Sequence, residues 1–98
     1  MELLIQRRAQ IALRSLQKSD QDGIKRALVK LSEIDRIELS RNHNFKLLAT
    51  HFSSRKIAVY RATHRLRLIL SFEGDSCIIE DIVDRERVER VVNREGQK

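Results

Sequence analysis

Between Glu38 and Glu73 the chain has no carboxylate, yet it carries Arg41, Lys46, Arg55, Lys56, Arg61, Arg65 and Arg67 with His43, His51 and His64. Arginine grips phosphate through a bidentate fork and lysine through a point charge, so the set suits a polyanion. It also suits one reaction of such a polyanion, the cleavage of RNA by its own 2′-hydroxyl. That reaction needs the hydroxyl deprotonated, the charge on the phosphorane stabilised and the leaving 5′-oxygen protonated. Arginine serves the second need. Histidine, lysine or tyrosine serves the first or third when its pKa is tuned. Tyr60 offers a ring on which a base stacks, or equally packs at the edge of a core. A row of arginines on a strand is also what a solvated face looks like. Here no acidic partner is near in sequence.

Other chemistries are not indicated. The chain lacks GxxxxGK[ST], GxGxxG, CxxC and HExxH. Its three histidines lack metal-ligand spacing, and the single cysteine, Cys77, makes neither a zinc site nor an intramolecular disulfide. No metal and no other cofactor is expected. Cys77 lies among apolar residues and reads as a buried reduced thiol, which fits a cytoplasmic protein. "MELLI" is too short for a signal peptide, and no apolar run approaches the roughly 18 residues of a membrane span. The formal net charge of +6 favours nucleic acid or another acidic partner.

These residues must be positioned by a small fold. With 98 residues, the chain reads as one domain over 1–98, with 93–98 as a disordered tail. Met1 to Ile5 is either a first strand or the start of a helix. Ala9, Ala12, Leu13 and Leu16 make one helical stripe. Ile24, Ala27, Leu28, Leu31 and Ile34 make a second, which Ile37 extends, with Ser19 or Asp20 as its cap. Residues 39–54 read as a long connection anchored by Phe45, Leu47, Leu48 and Phe52. The period then becomes 2. Ile57 and Val59 alternate with Lys56, Ala58 and Tyr60. Leu66, Leu68, Leu70 and Phe72 alternate with Arg65, Arg67, Ile69 and Ser71. "RATH" and "EGDS" are turns, "CIIEDIV" is a further strand, and "DRERVERVV" is a short terminal helix or an extended tail. The expected fold is α+β, an N-terminal helical hairpin packed on a small, mainly antiparallel, twisted sheet. With helices on one face, the other is expected to stay open and to carry Lys56, Tyr60, Arg65 and Arg67.

The order of these elements, with "FKLL", "RKIAVYRATHRLRLIL" and "CIIEDIVDRERVERVV", resembles the RelE/ParE superfamily of toxins over nearly the whole chain. The resemblance implies a RelE-like fold and the toxin of a type II toxin–antitoxin pair, a ribosome-dependent mRNA endonuclease. It implies a cognate antitoxin and mRNA on the ribosome as partners, with no role for a membrane. The ParE-like branch of the same superfamily inhibits DNA gyrase without cutting. A catalytically inactive RNA-binding relative is the third reading. Residue by residue, Arg65 matches the arginine of a "YR/HR" pair, with His64 before it. Arg85 matches the arginine of a terminal motif, with Arg87 close behind. Lys56 matches a basic strand residue, and Lys46 loosely matches a loop position. The implied catalytic set is Arg65, Arg85, Lys56 and His64. Arg55, Tyr60, Arg61, Arg67, Arg87 and Lys46 would hold RNA. Three positions depart from the pattern: Ala58 replaces a second strand lysine, Asp84 stands where His or Lys is common, and Val91 stands near the usual Tyr or His.

Overall fold

A computed structural model describes residues 1–52 and 55–89, except for the side chains of 49–52 and 55. The expected tail at 93–98, Val91 and the Arg55 and His51 side chains therefore lie outside the described residues. The chain runs β1 (Glu2–Ile5), α1 (Arg7–Arg14), α2 (Lys18–Glu33), α3 (Arg36–Ser40), β2 (Phe45–Phe52), β3 (Arg55–Arg61), β4 (Leu66–Glu73) and β5 (Ser76–Asp84). Residues 85–89 are helical. The strands form one sheet in the order β1-β5-β4-β3-β2. The β1–β5 pair is parallel and the other three pairs are antiparallel. The helices thus carry the chain from one edge of the sheet to the other. The α+β arrangement is the expected one, and within Met1–Ile5 the residues Glu2–Ile5 form a strand.

One face of the sheet is covered by the helices. Its core joins Ala9, Ile24, Ala27, Leu31 and Leu39 to Ala58, Tyr60, Leu66, Leu68 and Leu70, with Cys77, Ile79 and Ile82 from β5. Leu66, Leu68 and Leu70 thus face the core as their alternation implies. Phe72 packs beside them, 6.2 Å from the Phe45 ring and under the Arg36 guanidinium. α1 packs chiefly on β5, with Ala12 and Leu13, and Leu16 just beyond its end, against the core.

Three expectations about elements are corrected. The cap of α2 is Gln17, which makes no side-chain cap bond. Asp20 lies in the first turn instead, where a negative charge suits the helix dipole, and its carboxylate is used elsewhere. The apolar stripe does not extend through Ile37, because Ile34 is extended and ends α2; Ile37 is left 64% exposed on α3. α3 opens at Asp35, whose carboxylate accepts the Glu38 N–H at 2.8 Å. Residues 39–54 are also not a simple connection, since they hold the end of α3 and all of β2. The pairing register of β2 slips between Leu47 and His51, which breaks its alternation and hides the strand. Leu48 is buried, but Leu47 is 48% exposed and anchors nothing.

The far face of the sheet is not an open cationic surface. Ile57 and Val59 form a second apolar cluster there with Leu48, and Ile69 and Val88 pack against it. Toward β5, an irregularity between Ile69 and Leu70 leaves Glu80 as an extra residue. Its carboxylate accepts the Ser71 hydroxyl at 2.6 Å, and both residues are buried.

Candidate nucleic-acid interface

The β3–β4 turn gathers the cations. Ala62 and Thr63 N–H both donate to Leu66 O, and Leu66 N–H donates to the Thr63 hydroxyl at 3.0 Å. This tight turn places Arg61 directly across from Arg67. Alternation puts both on the far face, in step with Val59 and Ile69. Lys46 joins them from β2, where it pairs with Val59. Together with Asn44, Val88 and Glu89, the three cations line a groove of about 240 Å³ at the β2–β3–β4 end of that face.

Arg67 is the most constrained of the three. Its Nη1 donates to the carbonyls of Thr63, His64 and Leu66 at 2.9–3.2 Å. Partial burial lowers its pKa, and the nearby Arg61 and Arg85 charges lower it further; Glu89 acts in the other direction. Like charges are therefore held together here around a fixed guanidinium, as a site for a developing negative charge requires. His64 is exposed beside them, with its Nδ1 3.4 Å from Arg61 Nη2. If Arg61 donates to Nδ1, then Nε2 is the nitrogen that carries the ring proton.

Arg65 is placed differently from its expected role. It leads into β4 from the turn, and its guanidinium bridges Asp20 of α2 and Asp84 of β5. Its charge is thus largely answered within the protein. These partners lie 45 and 19 residues away in the chain, so the acid-free stretch around Arg65 concealed them. Arg65 O also accepts the Arg85 N–H at 2.8 Å. A second cavity of about 430 Å³ is lined by His64, Arg65, Asp84, Arg85 and Glu86. Arg85 lies 3.8 Å from Glu89.

The remaining expected site residues are not brought together. Lys56 is exposed at the other end of β3, about 17 Å from Arg61 at roughly 3.3 Å per residue. Tyr60 is 4% exposed and belongs to the core under the helices, so it does not stack a base on the far face. The reason is that β3 has two apolar rows, and the helices take Ala58 and Tyr60 rather than Ile57 and Val59. Arg87 is exposed and lines none of these cavities. Asn44 was not singled out from the sequence, although the Asn42–Asn44 turn, closed by the Asn44 N–H to Asn42 Oδ1, is a local signal for it.

Among the described residues no cluster of three His, Cys, Asp or Glu side chains is arranged to hold a metal ion, and no helix is long and apolar enough to cross a membrane. No family model, no curated protein and no solved structure matches the chain. The class defined by fold and site is an α+β domain with a cationic groove at one end of its sheet.

Proposed function

We propose that this protein is a ribosome-dependent mRNA endonuclease of the RelE type, the toxin of a toxin–antitoxin pair. The observation that carries the reading is the groove formed by Lys46, Arg61 and Arg67, with Arg85 close enough to act on the Arg67 charge. In this reading Lys46 and Arg61 hold the RNA backbone. Arg67, oriented by three carbonyls, and Arg85 stabilise the phosphorane. His64 moves a proton through Nε2. The role that the resemblance gave to Arg65 passes to Arg67, and Arg65 becomes the tie that fixes the turn to α2 and β5.

The test is primer extension on a defined mRNA incubated with purified protein, with and without programmed ribosomes. Cuts are expected at A-site positions only when ribosomes are present. Arg67→Ala and Arg85→Ala, with wild-type circular dichroism, should each lower the cleavage rate about 100-fold, the scale of removing one charge-stabilising donor. Absence of cuts with active ribosomes would exclude the nuclease. The engagement of Arg65 by two carboxylates favours a second reading, a ParE-like inhibitor of DNA gyrase that does not cut. Inhibition of gyrase supercoiling by the same preparation would support it.

A further inference from the structure

A second cationic cavity lies around the corner from the groove. Gly23 of α2 lies against the β3–β4 turn, and a Cβ at that position would come within 2.8 Å of Thr63 Cγ2. The missing side chain therefore lets the helix approach the turn. The approach brings Arg26 and Lys30, one helical turn apart, beside Arg61. With Asn44, Tyr60 and Thr63 they line a cavity of about 270 Å³, many times the roughly 30 Å³ share of one water. Its lining contains three cations and no carboxylate. Arg26 and Lys30 are exposed, and neither forms an ion pair among the described residues. Like charges at this helical spacing destabilise a helix, so the pair has a cost that an anion would remove. Arg61 and Asn44 line both this cavity and the groove, so the two adjoin at the end of β3.

We propose that the corner is a second phosphate site, which takes the backbone of a single-stranded RNA as it leaves the groove. The inference rests on the RNA reading of the groove and extends it to α2. Arg26 and Lys30 each contact a phosphate, while Arg61 bridges the two sites. Tyr60, buried under the helices, closes the inner side of the corner and is not a base platform on the far face.

Fluorescence anisotropy with labelled single-stranded RNA of about four and about sixteen nucleotides tests this. The titrations run from about 50 to 200 mM salt. For the longer RNA, Arg26→Ala with Lys30→Ala should weaken binding roughly tenfold. It should also reduce the slope of log K against log salt by about 1.4, the value for two lost single-strand phosphate contacts. Affinity for the short RNA should be unchanged. Removing the same charge from α1, with Arg7→Ala and Arg14→Ala, should leave the longer RNA bound as in the wild type. Equal losses in the two double variants, or no loss in the α2 variant, would overturn the corner site. If the α2 variant binds normally while Lys46→Ala with Arg67→Ala does not, only the corner is wrong. If the unaltered protein binds neither RNA, the groove reading fails with it.

Discussion

At the scale of single residues, burial and charge neighbours decide what each group does. Arg65 and Arg67 stand two positions apart, but one is paired with Asp20 and Asp84 while the other is held beside Arg61 and Arg85. Cys77 shows the same dependence on surroundings. It is fully buried, and burial pushes its thiol up to about 12 from 9.0, against smaller opposing effects of Arg36 and the N-terminal amine. A thiol reagent at pH 8 should leave native Cys77 unmodified and react once urea unfolds the chain. The raised value also makes a pH-dependent contribution to stability. Below pH 9 the thiol is neutral in both states and the contribution is whole. Between pH 9 and about 12 the unfolded chain loses its proton first, so stability falls. Urea midpoints across that window should fall less steeply for Cys77→Ala than for the unaltered protein; identical slopes would contradict the assignment.

At the scale of elements, short segments are held by specific local bonds. α3 has only five residues, too few for helix propensity alone to maintain it. It depends on the Asp35 cap and on burial of Leu39. Asp35→Ala should lower unfolding free energy by about 1 kcal/mol, the usual value of an N-cap, measured by urea titration. Asp35→Asn should recover most of that loss, since the amide oxygen still accepts the Glu38 N–H. The β4–β5 hairpin depends on a different local feature. Gly74 sits at φ 59°, in the left-handed region that glycine enters without strain. That short turn returns β5 antiparallel to β4 and sets Asp84 opposite Leu66, within reach of Arg65.

For the whole molecule, the distribution of charge matters more than its total. Lys46, Arg61 and Arg67 gather at one end of the sheet, where the folded state lowers the Arg67 pKa. The folded value lies below the unfolded one. Below the folded value Arg67 is charged in both states and the folded protein bears the full cost; the cost fades only as pH rises toward the unfolded value. A bound polyanion removes it at neutral pH. Tripolyphosphate at about 100 times its Kd should stabilise the protein by about 2.7 kcal/mol. For a domain of this size that raises Tm by on the order of 10 °C. Sodium chloride at equal ionic strength should do much less, and so should tripolyphosphate with Lys46→Ala/Arg67→Ala. Equal shifts from both salts would mean that the cations are only being screened.

The sequence by itself determined the α+β class and the order of α1, α2, β3, β4 and β5. Stripes at period 3.6 made α1 and α2, and alternation at period 2 made β3 and β4, because side-chain direction is a local property of the backbone; β5 shows instead as an apolar run, buried along most of its length. It also determined that the β3–β4 turn would be cationic. β2 was hidden by its slipped register, and α3 by its brevity, although the Asp35–Glu38 spacing announces its start. Only the tertiary structure decided which side of β3 the helices cover. Alternation separates two rows but cannot say which lies inward when both are apolar, so Tyr60 went to the core and Lys46, Arg61 and Arg67 became the groove. Only the tertiary structure brought Asp20 to Arg65, and Arg26 and Lys30 to Arg61. Charge pairing acts through distances in space, and separation along the chain does not report them.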